Sequence, residues 1–254
     1  MDYISGIASA FKTYIGEGAI DELQDNITDK PMILIAGDQL TGKSTQAKRL
    51  AEFFKGSFHS VGSLFRDAAK KRGITVAEQA RLLLVERGID VEIDYKTCQV
   101  ITGAEIDTNL GVVEGRQPAY MGSFMASLGK KHLVRLYLRC SIREQALRFL
   151  RREVGEQAYL AGKSQIPEKD YKNLESLNNE IENLEIEGRD EIMADFIENQ
   201  SRDEDDRHRY SGLYGFDYGN LKGYDIILDT NKKEPDEVFE EILEKLEDFD
   251  FRTN

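Results

Sequence analysis

Residues 37–44 read GDQLTGKS, and they follow the apolar run MILIA at residues 32–36. The run predicts a buried strand, and the pattern of residues 45–54 predicts an amphipathic helix after the loop. A G-x-x-x-x-G-K-S loop between a strand and a helix is typical of phosphate binding. Its backbone N–H groups surround a phosphate, Lys43 reaches the outer oxygens and the Ser44 hydroxyl ligates Mg²⁺. The helix dipole adds positive potential beneath the same phosphates.

A glycine-rich turn with an incidental lysine is the alternative interpretation of this stretch. Leu40 stands where many such loops carry glycine, which predicts a stiffer loop at that position. The flanking strand and helix favour the phosphate-binding interpretation. The predicted ATP-binding residues of the loop are Gly37, Asp38, Gln39, Leu40, Thr41, Gly42, Lys43, Ser44 and Thr45.

The composition describes a globular chain with a strong acidic excess. Its 254 residues are enough to bury a core, and 40% are hydrophobic while 32% are charged. Lysine and arginine number 34 against 47 aspartates and glutamates, a net charge of −13. This charge disfavours nucleic acid or an anionic membrane as the main partner. A polyphosphate ligand therefore requires a local cluster of basic groups.

The N-terminal stretch, the cysteines and the lack of a long apolar run predict a cytoplasmic, reduced protein. The N-terminus carries an acid where a signal peptide would be basic, and no run approaches the roughly 20 apolar residues of a membrane span. Cys98 and Cys140 lack metal-ligand spacing, so we expect both to be core residues.

Strands alternate with helices along the chain, so the expected fold class is α/β. We expect a parallel sheet with helices on both faces, with the ligand at the carboxyl ends of its strands. The predicted strands are 32–36, 57–61, 111–115, 133–138 and 224–228. The predicted helices are 1–18, 20–27, 45–54, 63–72, 76–87, 93–109, 141–154 and one that begins at 235.

The chain divides into four predicted segments. Residues 1–30 form a helical extension, which we expect to pack on the domain, with a partner or membrane helix as the alternative. Residues 31–154 and 202–254 form the core. Residues 155–201 carry twelve acids against four bases and apolar residues at helical spacing. This segment predicts a helical hairpin inserted in the core, which serves either as a lid or as a dimer contact.

Several arginines follow predicted strands or flank the insertion. Phosphoryl transfer requires positive groups around the transferring phosphoryl, because the transition state spreads charge over its oxygens. Surface arginines that are solvated or paired with acids are the alternative for each residue. The candidates are Arg66, Arg116, Arg148, Arg151, Arg152, and the set Arg202, Asp206 and Arg209 on one helix face.

Glu114 ends the predicted strand that precedes Arg116. An acid in this position can hold a water molecule of the Mg²⁺ shell. The alternative is an ion pair of Glu114 with Arg116 alone. We favour the metal role, with Ser44 as the direct ligand.

Taken in order, these motifs resemble the nucleoside monophosphate kinases, and among them the short archaeal-type cytidylate kinases. The similar parts are GDQLTGKS (37–44), SVGSLFRDAAKKRGIT (60–75), VEIDYKT (91–97), VVEGR (112–116), SRDEDDRHRYSGLYGFD (201–217) and YDIILDT (224–230). The resemblance covers about residues 32–154 and 201–249. It implies a P-loop NTPase fold with a lid, and transfer of the γ-phosphoryl group of ATP to CMP or dCMP with Mg²⁺.

The resemblance also implies roles for individual residues. Lys43 and Ser44 would serve the ATP phosphates and Mg²⁺, and Asp206 would meet the acceptor ribose. The residues expected around the acceptor, or on its phosphate, are Ser63, Arg66, Arg116, Arg202 and Arg209. Arg148 and Arg152 match lid arginines that reach ATP in the wider group.

Some features depart from the family pattern and leave alternatives open. Bacterial cytidylate kinases have an acid that helps to read cytosine where this chain has Gln117, so the base could differ. A kinase for AMP, UMP or a small alcohol is one alternative. An ATP-binding regulatory or scaffold protein is another. The expected partners are small nucleotides, and the expected assembly is a monomer or a homodimer.

Overall fold

The computed structural model describes residues 2–83, 86–171, 174–183 and 189–249, without side chains for residues 76, 77, 80, 174, 175, 189–193, 198–200 and 202. The strands are β1 (Met32–Ala36), β2 (Ser57–Ser60), β3 (Gly111–Glu114), β4 (Leu133–Arg139) and β5 (Ile226–Asp229). The helices are α1 (Tyr3–Tyr14), α2 (Ala19–Asp25), α3 (Lys43–Phe53), α4 (Val61–Arg72), α5 (Val76–Leu82), α6 (Gly88–Thr102), α7 (Pro118–Ser127), α8 (Ile142–Glu153), α9 (Glu156–Gln165), α10 (Leu174–Ile181), α11 (Arg189–Tyr214) and α12 (Pro235–Leu246).

The five strands form one parallel sheet in the order β2-β3-β1-β4-β5. β1 lies at the centre, and the loop after it emerges between the ends of β3 and β4. The predicted P-loop NTPase fold is confirmed by this strand order and by the phosphate loop that joins β1 to α3. All functional groups that follow β1, β2 and β3 therefore meet at the same edge of the sheet.

Each face of the sheet carries its own apolar core, because alternate residues of a strand point to opposite faces. From β1, Leu34 packs on the face covered by α1, α4, α6, α7 and α11, whereas Ile33 and Ile35 pack on the face covered by α3 and α12. All five residues of β1 are fully buried. The sheet is therefore a rigid support for the loop at the end of β1.

Helix α7 is absent from the sequence-based prediction. Its residues from Pro118 to Met125 are all buried, so the segment has no polar face that would reveal a helical period. Helix α6 also differs from the predicted range 93–109, since it begins at Gly88 and ends before Gly103. Gly103 has φ +83°, which ends the helix in a left-handed cap.

The segment predicted as an insertion contains α9, α10 and the first half of α11. Leu177, Ile181 and Phe196 pack with Phe149 and Leu150 of α8 in a third apolar cluster. Helix α11 continues from Arg189 to Tyr214, so one helix connects this cluster with the core. The sequence also predicts a break between two helices at Gly188, and this residue lies outside the described part of the chain.

The N-terminal extension packs on the domain, as expected. Ile7 and Phe11 of α1 are fully buried, and Phe11 lies edge-to-face against Tyr95 and Phe124. A Cβ atom at Gly6 would lie 2.4 Å from the carbonyl oxygen of Tyr214, so α1 approaches α11 closely. Within the described part of the chain, no helix is long and apolar enough to cross a membrane.

Candidate active site

The phosphate loop connects the end of β1 with the start of α3. Gly37 lies against β4, where a Cβ atom would come within 2.4 Å of the Leu138 carbonyl oxygen, so only glycine fits. The Lys43 ammonium donates to the Asp38 carbonyl at 3.1 Å, and the Thr41 hydroxyl donates to the same oxygen at 2.9 Å. The two hydrogen bonds thus hold the Asp38 carbonyl, and with it the loop backbone, close to the Lys43 side chain.

Leu40 adopts a left-handed backbone conformation, with φ +62°. This conformation costs an L-residue roughly 1–2 kcal/mol, so other contacts must hold it. The Leu40 carbonyl accepts a hydrogen bond from Arg148 of α8 at 3.1 Å, and its side chain packs on the apolar cluster of α8–α11. Leu40, which stands where many such loops carry glycine, thus connects the loop to the insertion.

Ser44 and Glu114 meet beside the loop. The Ser44 hydroxyl donates to the buried Glu114 carboxylate at 3.1 Å, and the Ser60 hydroxyl donates to its other oxygen. The alternative ion pair between Glu114 and Arg116 is not formed, because Arg116 points to α11. The hydroxyl and the carboxylate form a pair of oxygen groups of the kind that Mg²⁺ binds.

Burial lowers the pKa of the Lys43 ammonium, and the charge of Arg116 lowers it further. Glu114, Asp203 and Asp38 act in the opposite direction. Charged groups of both signs therefore surround the lysine.

Arg116 lies between two acids of α11. Its guanidinium donates to Asp203 from Nε at 2.9 Å and from Nη2 at 2.7 Å, and its Nε also lies 2.8 Å from Asp206. Asp206 pairs in turn with Arg209. The set Arg116, Asp206 and Arg209, predicted around the acceptor, is thus brought together by β3 and α11.

Helix α11 also contacts the phosphate loop directly. The Gln39 N–H donates to Asp203 at 3.0 Å. One turn later, Arg207 donates to both carboxylate oxygens of Asp38 at 2.8 and 2.9 Å, and it donates to Asp217 at 3.0 Å. One helix therefore contacts both the loop and Arg116.

A buried acidic pair from α6 lies behind Arg209. Asp90 forms an ion pair with Arg209 at 2.6 Å, and burial raises the pKa of Asp90 to about 6. Burial also raises the pKa of Asp94 to about 7, with a further contribution from the charge of Asp90. The two carboxyl groups are thus proton-binding groups close to neutral pH.

Gln117 follows Arg116 but is not open to solvent. Its side-chain amide donates to Asp94 at 2.7 Å, and Tyr214 of α11 donates to the other oxygen of Asp94 at 2.6 Å. Gln117 and Asp94 are each only 1% exposed. Gln117 therefore joins α6 to the strand-end turn, and its amide N–H is engaged within the protein.

The other predicted residues lie at varied distances from this centre. Arg66 is exposed at the start of α4 and donates to Ser63 at 2.8 Å. Arg148 reaches the loop through Leu40, whereas the exposed Arg152 pairs with Glu153. Arg202 lies on α11, but its side chain is outside the described residues.

A cleft of about 410 Å³ opens beside the loop, between α8, α9 and the turn after β5. It is large enough for part of a nucleotide. Its lining includes Thr41, Thr45, Arg148, Tyr159, Lys163, Thr230 and Lys232. A more open cavity of about 590 Å³ lies elsewhere, near Tyr14 and Arg72, and none of the predicted site residues lines it.

Asp203, Arg207 and Asp94 were not among the predicted site residues. All three lie in stretches that the resemblance included. A signal for two of them existed in the sequence, because Asp203 and Arg207 are four residues apart and therefore lie on one helix face. The partners of that face on the loop could be identified only from the fold.

Comparisons with known proteins agree with this architecture. The chain is 24% identical over 218 residues to the cytidylate kinase of Staphylothermus marinus, covering 86% of this chain and 97% of that protein. It is 27% identical over 210 residues to the cytidylate kinase of Pyrococcus furiosus, covering 82% and 84% of the two chains. No family model matches the sequence.

Among solved structures, an uncharacterized protein from Eubacterium ventriosum superposes with a TM-score of 0.51 at 15% identity, covering 85% of this chain and 98% of that one. This likeness concerns the fold alone. The fold, the phosphate loop and the named relatives together define the protein as an enzyme of the P-loop kinase class. Within that class its sequence is similar to those of archaeal proteins named cytidylate kinase.

Proposed function

We propose that the protein transfers the γ-phosphoryl group of ATP to CMP or dCMP, giving ADP and the nucleoside diphosphate. The observation that carries this proposal is that Arg116, Asp206 and Arg209 form one ion-pair network, and that Asp203 joins Arg116 of this network to the phosphate loop. ATP on the loop and a monophosphate on the arginines would be neighbours. Such placement removes much of the entropic barrier to transfer. Relatives named cytidylate kinase support cytosine as the acceptor base.

The proposed mechanism assigns charge neutralisation to the chain's own cations. Lys43 and the loop N–H groups hold the β- and γ-phosphates, while Arg116, Arg202 and Arg209 hold the acceptor phosphate. An acceptor phosphate oxygen attacks the γ-phosphorus in line, and the bond to the oxygen of departing ADP breaks. No general base is needed, because the attacking oxygen is already anionic near neutral pH.

Further roles concern the acceptor and the metal. Ser63 and Arg66 lie on the acceptor side, and Asp206 accepts from the ribose hydroxyls. Ser44 would ligate Mg²⁺ directly, and Glu114, which accepts a hydrogen bond from Ser44, would hold a water molecule of the metal shell. The bound metal would neutralise charge that develops on the transferring phosphoryl group.

The segment 155–201 serves as a lid in this proposal. Its apolar cluster already touches the loop through Leu40, and Arg148 of the preceding helix donates to the same residue. These contacts favour the lid over the dimer contact. Closure over the cleft would exclude water and suppress hydrolysis of ATP.

The test is a coupled assay of ADP release from ATP and Mg²⁺. CMP, dCMP, UMP, AMP and GMP are compared in parallel with a reaction that lacks an acceptor. The proposal expects fast release with CMP or dCMP. Faster release with another monophosphate would change the acceptor base, and release that no monophosphate stimulates would support the ATP-binding scaffold instead.

A further inference from the structure

We propose that the Asp203 carboxylate is an internal competitor for substrate phosphate. It holds two anion-binding groups, the Gln39 N–H and the Arg116 guanidinium, and a phosphate that uses them must displace it. The inference builds on the proposed function, which places phosphates on the loop and on Arg116. It adds that these groups bind an anion supplied by the chain itself.

The geometry shows one carboxylate between two elements of the site. One oxygen of Asp203 accepts from the backbone N–H of Gln39 in the loop at 3.0 Å. The other accepts from Nε and Nη2 of Arg116 at 2.9 and 2.7 Å. Backbone N–H groups of such loops and arginine side chains are the usual partners of phosphate oxygens. The contacts of Asp203 are thus the kind that a phosphate makes.

The position of Asp203 is fixed from behind. The Tyr218 hydroxyl donates to the Asp203 backbone carbonyl at 2.9 Å, and the residue is only 5% exposed. Four residues later, the ion pair of Arg207 with Asp38 attaches the same helix to the loop. The backbone of Asp203 therefore stays near the loop, and displacement of its carboxylate requires a side-chain rotation or a small shift of α11.

This arrangement affects which anions can bind. The Asp203 carboxylate carries one negative charge close to the cations. While it remains paired with Arg116, it therefore repels any anion that approaches the site. A phosphate ester carries more charge and more acceptor oxygens, so it can replace those contacts when the rest of the nucleotide is bound. A small anion cannot replace those contacts, because no further part of it binds to the protein. Asp203 would thereby keep the site neutralised until a full substrate arrives.

A purely structural role for Asp203 makes the opposite prediction. If its carboxylate only holds Arg116 in a productive position, its loss weakens phosphate binding. If it competes with phosphate, its loss strengthens phosphate binding. The sign of the change in affinity therefore separates the two roles.

The experiment is a calorimetric titration of inorganic tripolyphosphate, and separately of CMP, at fixed ionic strength. Asp203→Asn removes the charge at nearly constant size. The matched control is Asp205→Asn, which removes the same charge from an exposed position two residues away on α11. We expect Asp203→Asn to tighten the binding of at least one of the two probes by about tenfold. The reason is that a charged carboxylate no longer competes with the probe for Arg116 and the Gln39 N–H. The control should change binding by less than about twofold.

Equal or weaker binding of both probes by Asp203→Asn, relative to the control, would overturn the inference. If this variant does not fold, as judged by circular dichroism, the same titrations with Asp203→Ser decide. These titrations do not depend on turnover. An enzyme that no nucleoside monophosphate stimulates would refute the proposed function, while the tripolyphosphate result would still decide whether Asp203 competes.

Discussion

The phosphate loop and the proposed acceptor side of the site are built in opposite ways. The loop occupies eight consecutive residues, 37–44, from the end of β1 into the first turn of α3, and its lysine contacts a carbonyl of the same loop. The acceptor side combines Asp90 of α6, Arg116 after β3 and Arg209 of α11, which lie far apart in the sequence. A local site can be recognised from a motif, whereas a dispersed site depends on every element that brings its parts together.

Helix α11 is the element through which the two regions affect each other. Asp203 contacts both Gln39 of the loop and Arg116, and Arg207 contacts Asp38 of the loop. A change on the acceptor side can therefore reach the loop through hydrogen bonds of one helix. Substitutions in each region therefore test whether a change in one region alters the function of the other.

The largest effect is expected for Lys43→Ala in the local region. Removal of a cation that stabilises transition-state charge should lower kcat by about 1,000-fold. The fold should persist, because the described hydrogen bond of the ammonium is a single bond to the Asp38 carbonyl. Steady-state kinetics and a thermal melt measure both quantities. Lys48→Ala, an exposed change on the same helix, is the control, and near wild-type turnover in Lys43→Ala would contradict the assignment.

Arg116→Ala tests the dispersed region. We expect kcat/KM for the acceptor to fall by about 100-fold, while the affinity for ATP changes by less than about threefold. The reason is that Arg116 pairs with Asp203 and Asp206 on the acceptor side of the loop. The measurement is a kinetic series in each substrate, with exposed Arg81→Ala as control. An unchanged acceptor KM and kcat would argue against the role of Arg116.

Arg207→Ala tests the connection between the regions. Its loss leaves Asp38 of the loop without its guanidinium partner, so we expect the KM for ATP to rise by about tenfold. A double-mutant cycle with Asp38→Asn should give a coupling energy of about 1 kcal/mol or more. Additive effects of the two substitutions would show that the ion pair does not contribute to ATP binding.

The sequence was sufficient for the sheet and the loop, and the reasons are local. The strand β1 is a continuous apolar run, and the loop follows it directly. Helix α7 was missed because burial on all sides removes the periodic signal. The sequence shows that Leu40 replaces the usual glycine of the loop. It does not show that contact with the apolar cluster of α8–α11 supports the left-handed backbone of Leu40, because that contact is long-range.

The candidate site was predictable only where its residues lie on one helix face or one strand end. Asp206 and Arg209 are three residues apart, and this spacing predicted that they share a helix face. Arg116 was predicted at the site because it comes just after the end of β3. The partners of these residues could not be inferred, because ion pairs between distant segments depend on the packing of whole helices. The role of Gln117 shows this limit, since its contact is a buried carboxylate of α6.

The remaining expected effect is on stability and concerns Asp94, which lies behind the dispersed region. Burial raises its pKa to about 7, whereas an unfolded aspartate titrates near 4. Between these values the folded chain binds a proton that the unfolded chain lacks. The contribution of Asp94 to the free energy of unfolding therefore falls as pH rises from about 4 to 7.

Asp94→Asn removes this titration and should keep the size of the side chain that Gln117 and Tyr214 contact. Relative to the variant, the wild-type protein should lose on the order of 2 kcal/mol of unfolding free energy between pH 5 and pH 8. Urea denaturation at both pH values measures the difference, with exposed Asp25→Asn as control. An identical pH dependence of wild type and Asp94→Asn would mean that Asp94 is ionised at both pH values in the fold. The buried pair behind Arg209 would then carry its full negative charge when an acceptor phosphate binds, which would weaken the attraction of Arg209 for that phosphate.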